Sequence, residues 1–193
     1  MKKDIILSGV GGQGILSIAA VIGMAALKQN LKVKQAEVHG MSQRGGAVQS
    51  HLRLSDQEIA SDLIPHGQAD LILSVEPMES LRYLPYLANN GWLVSNITSF
   101  QNIPDYPPVE EVLNEIISLP NRILIDADKI AKDCGSVKAS NMVVLGAGSA
   151  LTGMESSFFI SSIQKIFKSK GEDVIKMNIR AFEEGYIFAV NYL

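Results

Sequence analysis

The order of apolar runs and glycine turns predicts a three-layer α/β/α sandwich around a mixed, mainly parallel sheet. Three observations carry this. Short apolar runs alternate with helical patterns along the chain. A glycine-rich turn separates the first run from the first helical pattern. The run at 47–54 follows the previous one too closely for a crossover helix, which needs about a dozen residues. That strand is therefore expected to run antiparallel.

Each element has its own warrant. Residues 4–8 (DIILS) form a buried strand, because the run is short, apolar and stopped by glycine. Residues 14–29 form a helix, apolar nearly all round and so expected to be buried. Residues 32–38 form a second strand. In 47–54, Val48, Ser50, Leu52 and Leu54 alternate onto one face, as in a half-buried strand. Residues 71–75 form another buried strand. Pro77 suits the first turn of a helix expected to reach about Ala88. Asn90-Gly91 stops it, and 92–95 is the next strand. The stretch 102–108 holds Pro104, Pro107 and Pro108 and is the most loop-like segment. A helix at 109–118, a strand at 122–125 and a helix from Ala127 to about Cys134 follow. C-terminal helices are expected at 141–151, 157–168 and 174–192. In the last, Ile175, Ile179, Phe182, Tyr186, Ala189 and Leu193 share one face, as core packing or a subunit seam.

Composition bounds the function. The 193 residues suit a single domain spanning 1–193. At 47% hydrophobic and 19% charged, the chain is not a disordered one. The net charge of −3 offers no basic surplus for nucleic acid. The longest apolar stretch, 15–27, is shorter than the roughly 18 residues a membrane span needs, so no membrane is expected. Lys2 and Lys3 precede apolar sequence, but Asp4 and the glycines break a signal-peptide pattern, and a cytoplasmic, reduced protein is expected. Cys134 is the single cysteine and cannot hold an iron–sulfur cluster alone. His39, His51 and His66 show no metal-ligand spacing, so no metal site is expected. No nucleophile, base and orienting group are placed together, and the catalytic residues are unknown at this level.

Two glycine-bearing loops remain. Gly9-Val10-Gly11-Gly12-Gln13-Gly14 lies between a strand and a helix, the context that gives G-x-G-x-x-G its meaning. Bare amides at a helix start favour an anion. Glu37, 23 residues past Gly14, sits where a ribose-binding acid would sit in a Rossmann-like dinucleotide enzyme. An NAD-dependent dehydrogenase is thus one reading, and a tight structural turn with nothing bound is another. The second loop is His39-Gly40-Met41-Ser42-Gln43-Arg44-Gly45-Gly46. Ser42, Gln43, Arg44 and Gly45 offer hydroxyl, amide, guanidinium and backbone donors suited to phosphate or carboxylate. If the first two strands are neighbours, both loops border one crevice. Glu76 points toward the same edge but reads first as a helix-start acid set against the dipole; Asn96, Asp126 and Asp128 end other strands and could reach that edge, each equally explicable as a cap.

Together the two loops resemble those of the gamma-type subunits of 2-oxoacid:ferredoxin oxidoreductases, with the indolepyruvate branch as the nearest likeness. Val75-Glu76-Pro77, Asn141-Met142 with Leu145-Gly146, and Asn178 with Ala181-Phe182 and Gly185 are weaker landmarks. The resemblance spans essentially the whole chain. It implies the catalytic-domain fold of pyruvate–ferredoxin oxidoreductase. It further implies a non-redox subunit, inactive alone, of an enzyme that oxidatively decarboxylates a 2-oxo acid. Coenzyme A is then the co-substrate, and an acyl-CoA, carbon dioxide and reduced ferredoxin are the products. Thiamine diphosphate and [4Fe-4S] clusters would lie on a large partner subunit, since this chain carries no G-D-G…N-N thiamine signature. Gly9, Gly11, Gly12, Gln13, Gly14, Ser42, Gln43, Arg44 and Gly45 would then border the partner's cofactor site.

Overall fold

The computed structural model describes residues 1–39, 45–101 and 103–193. Its strands are β1 (Lys2–Val10), β2 (Lys32–His39), β3 (Ala47–Ser55), β4 (Ala69–Ser74), β5 (Leu87–Asn96) and β6 (Arg122–Ile125). Its α-helices are α1 (Ile15–Lys28), α2 (Pro77–Arg82), α3 (Val109–Ile117), α4 (Ala127–Asp133), α5 (Ser140–Ser149), α6 (Ser156–Ile166) and α7 (Glu172–Tyr192). The strands form one sheet in the order β2-β3-β1-β4-β5-β6. The strands β1, β4, β5 and β6 run parallel, while β3 lies antiparallel between β1 and β2. The expected mixed, mainly parallel sheet is what forms.

Odd-numbered positions of β1 and their partners, such as Leu7, Leu71 and Val94, face a large core. It is built with α1, α4, α5, α6 and α7. Even-numbered positions of β1, such as Ile6, pack with Ile72, Leu93, Val112 and Ile116 in a smaller core under α2 and α3. This alternation is the period-2 pleat of a sheet covered on both sides.

On the large-core side, α5 and α7 pack backbone to backbone. A Cβ added at Gly146 would lie 2.0 Å from the Phe182 carbonyl oxygen, and one at Gly185 would lie 2.0 Å from that of Val143. Only glycine allows this approach. It also rotates the buried face of α7 from the expected one. Asn178, Ala181, Phe182, Gly185 and Ala189 are buried, while Leu193 is 58% exposed.

Two other expectations change, and one condition is not met. The first two strands are not neighbours, because β3 separates them. Helix α2 ends at Arg82, and a short 3-10 turn, Leu84–Tyr86, leads straight into β5 at Leu87. Pro85 has no N–H with which to continue an α-helix. Asn90-Gly91 therefore lies inside β5, where the strand advances five residues against two on β4. A Cβ at Gly91 would meet the Ala69 carbonyl at 2.7 Å, so the irregularity needs glycine. Finally, α1 is not buried all round: Leu16 and Leu27 are exposed, because the sheet and α6 cover only one side of it.

Candidate functional site

The carboxyl ends of β1, β4, β5 and β6 share one rim, the usual ligand edge of an open α/β sheet. At its centre is the turn after β1. Gln13 closes it: its side-chain oxygen accepts the Val10 N–H at 2.8 Å, and its own N–H donates to the Val10 carbonyl at 3.1 Å. Gly14 begins α1 in a left-handed conformation, φ 79°. A Cβ there would strike the Asn141 amide at 2.4 Å, and that amide donates to the Gly14 carbonyl at 3.2 Å. Gly12 has φ +103° and no atom within 4 Å of where a Cβ would stand. Its backbone is therefore bare toward solvent space.

Three clefts meet at Gly12. One, about 480 Å³, runs along the rim past Gln13, Val75, Asn96, Thr98, Ser99, Phe100, Asp128, Lys138 and Ser140. A second, about 800 Å³, lies between the turn and the C-terminal helices, with Ser17, Ser136, Lys138, Asn141, Lys170 and Asn178 on its walls. A third, about 330 Å³, is bounded by Gly11, Leu16 and Val48. Lys138 lies on both larger clefts, so an ammonium and bare amides face the same space. That set suits an extended anionic ligand.

The two glycine loops do come together, by a different route from the expected one. Antiparallel pairing of β3 with β1 sets Val10 opposite Ala47. It continues into the loops: the Gly11 N–H donates to the Gly46 carbonyl at 2.8 Å, and the Gly45 N–H approaches the Gly11 carbonyl at 3.4 Å. Gly45 thus sits beside Gly11. Ser42, Gln43 and Arg44 lie outside the described residues, as do Gly40 and Met41.

The dinucleotide arrangement does not form. Glu37 is on the edge strand β2, opposite Ser50, which is itself opposite Leu7 of β1. Two strand spacings, about 9.6 Å, separate it from β1. Its carboxylate accepts from the Gln35 amide at 3.2 Å. Of the two strands beside β1, β3 starts at the rim, and β4, which ends there, leads into Glu76, whose carboxylate is buried as the cap of α2.

The other rim residues divide. Asp126 caps α4 by accepting the Lys129 N–H at 3.0 Å. Asn96 accepts the Ala127 N–H at 3.1 Å and donates to Asp128 at 3.2 Å, so both help to shape the 480 Å³ cleft. Glu76 is buried and caps α2 through the Glu79 N–H at 2.8 Å. Sequence reasoning did not single out Thr98, Ser99, Phe100, Ser136, Lys138 or Lys170. Only the hydroxyl-rich Thr98-Ser99 after a strand end and Gly135-Ser136 between helices carried a local sign of a loop at the rim.

Residues 4–188 match the family model "Pyruvate ferredoxin/flavodoxin oxidoreductase". The indolepyruvate oxidoreductase subunit IorB of Methanothermobacter thermautotrophicus is 35% identical over 195 residues, covering 96% of this chain and 97% of that one. In fold, the chain is similar to pyruvate oxidoreductase subunit PORC of Thermotoga maritima (TM-score 0.75, 23% identity, 96% of each chain). It is also similar to 2-oxoglutarate:ferredoxin oxidoreductase from Magnetococcus marinus, with 2-oxoglutarate, coenzyme A and succinyl-CoA bound (TM-score 0.78, 22% identity). That match covers 98% of this chain but 31% of the other. Sheet, glycine turn and sequence thus agree, and the chain belongs to the pyruvate ferredoxin/flavodoxin oxidoreductase family as an oxidoreductase subunit.

Proposed function

We propose that this chain is the non-redox subunit of a 2-oxo acid ferredoxin oxidoreductase, acting on indolepyruvate or a related arylpyruvate. It works with a larger subunit that carries thiamine diphosphate and [4Fe-4S] clusters. The assembly converts the 2-oxo acid and coenzyme A to acyl-CoA and carbon dioxide, and the electrons released pass to ferredoxin. The cofactors supply the electron sink for decarboxylation and the electron path. This chain supplies walls and charges. With one cysteine in 193 residues, it has no ligand set for a cluster.

The observation that carries the reading is the meeting of the clefts at Gly12. The bare Gly12 backbone, Lys138 and Lys170 fit the phosphates of coenzyme A or of the partner's thiamine diphosphate. Gly9, Gly11, Gln13, Gly14 and Gly45 hold that turn in place, and the hydroxyl, amide and guanidinium of Ser42, Gln43 and Arg44 are donors suited to the same anion. The indolepyruvate relative, alike over nearly its full length, supports the choice of substrate class.

The test is reconstitution with the large subunit. Lys138→Ala and Arg44→Ala should each raise the Michaelis constant for coenzyme A or the 2-oxo acid about tenfold, or weaken assembly. Unchanged kinetics together with unchanged assembly rejects the reading. Fluorescence titration of the chain with NADH should show no micromolar binding; such binding would instead favour the dehydrogenase.

A further inference from the structure

Glu76 is more than a helix cap. Its backbone is pinned by Ser74, whose hydroxyl donates to the Glu76 carbonyl at 2.6 Å and accepts the Glu76 N–H at 3.3 Å. One carboxylate oxygen, Oε2, takes the Glu79 N–H and so caps α2. The other, Oε1, turns away from that helix. It accepts the Phe100 N–H at 3.3 Å and the Tyr106 hydroxyl. A cap needs only the first oxygen; the second reaches 24 and 30 residues along the chain.

What Oε1 holds is a wall of the site. Thr98, Ser99 and Phe100 line the 480 Å³ cleft together with Gly12, Lys138 and Ser140. Thr98 and Phe100 are themselves exposed, so apolar burial does little to keep the wall where it is. The carboxylate is fully buried. Releasing Phe100 or Tyr106 would leave Oε1 short of donors in a place water does not reach, which is costly. Burial, and then the Glu76 carboxylate, raise the Tyr106 hydroxyl well above its ordinary pKa, so it stays a donor.

We propose that Glu76 is a positioning residue that fastens the Thr98–Phe100 wall at the width the ligand of this cleft requires. The inference rests on the assignment of that cleft made under Proposed function. Glu76 touches no reacting group; it acts through Phe100 and Tyr106.

Two variants separate clamp from cap. Glu76→Asp keeps a good cap and the charge but is one methylene too short to reach Phe100 and Tyr106. Tyr106→Phe keeps the Glu76–Glu79 cap and removes the Tyr106 tie to Oε1, together with that hydroxyl's bond to the Met78 N–H. In the full chain, hydrogen exchange at the amides of 98–100 should quicken about tenfold in either variant, with the amides of β4 and β5 unchanged. In the reconstituted complex, the Michaelis constant for coenzyme A or the 2-oxo acid should rise about fivefold while kcat moves less than about twofold. Unchanged exchange at 98–100 overturns the clamp. Quickened exchange with an unchanged Michaelis constant, in a complex where Lys138→Ala does raise it, overturns the positioning role and leaves the functional reading standing. If Lys138→Ala and Arg44→Ala are also without effect on kinetics and assembly, the functional reading falls as well.

Discussion

The two faces of the sheet are built on opposite principles. Under α1, α5 and α7 the apolar core is large and close-packed: α5 is buried from Asn141 to Ser149, and glycines let its backbone touch that of α7. Under α2 and α3 the apolar core is smaller, and polar groups are buried beside it. Ser8, Ser74 and Ser95 stand side by side across three strands, next to Glu76, Glu79 and Ser80. Apolar packing is tolerant of direction, whereas a hydrogen-bonded carboxylate holds its partners at set distances. The first face therefore supplies stability, and the second supplies position at the rim.

This contrast can be broken at its strongest point first. Phe182 is fully buried and stacks on Phe159 at 5.5 Å between ring centres. Phe182→Ala should cost about 4 kcal/mol in urea unfolding. A cost near 1 kcal/mol would mean that the α5–α7 layer is not the stabilising one. Gly146→Ala comes next, at about 3 kcal/mol, because the new methyl meets a backbone carbonyl that cannot rotate aside. Gly12→Ala meets nothing, and its cost should be only the backbone strain at φ +103°, about 1–2 kcal/mol. Equal losses at the two glycines would erase the distinction between a packing glycine and a conformational one.

On the polar face the effects are smaller and depend on pH. His51 is buried, and its Nδ1 accepts the Ile64 N–H at 3.0 Å. Burial lowers its pKa below the ordinary 6.5, against the pull of Asp62 and with the help of Arg53. The unfolded chain thus takes up this proton more readily than the folded one. Stability tied to neutral His51 is complete above pH 6.5 and drains away as pH falls through the lower folded value. Urea midpoints measured from pH 7.5 to 5 should show this slope in the parent, and His51→Gln should flatten it. Glu79 has the reverse sign. Burial raises its pKa even though Arg82 pairs with it at 3.0 Å. Its burial penalty is absent in acid and grows as pH rises through the raised value. Arg82 is half exposed, so Arg82→Ala should cost under about 1 kcal/mol at pH 7 and less at pH 4.5.

How much of this was readable from sequence follows from which interactions are local. β6 at 122–125 and the start of α2 at Pro77 are marked by neighbouring residues, and both stand where expected. The antiparallel course of β3 was legible because chain length alone forbids a crossover between 39 and 47. Strand order was not legible: nothing within 32–54 says that β3, rather than β2, lies against β1. The helix after Pro77 was overdrawn: Pro85 is a local stop that the reading passed over, while the approach of Gly91 to Ala69 acts only through packing. In the site, the turn at 9–14 was visible because its four glycines fall within six residues. Lys138 and the Thr98–Phe100 wall reach Gly12 only through the sheet order, across more than 80 residues of chain, and leave no spacing to read.

The strand inserted between β2 and β1 has one further effect. Strands β2 and β3 pair in register from Lys32 with Ser55 up to His39 with Val48, and β3 carries that register on to β1, where Val10 faces Ala47. A one-residue slip in that ladder would turn the core side chains of β3 to the other face and carry Gly45 and Gly46 away from Gly11, so scaffold and site stand or fall together.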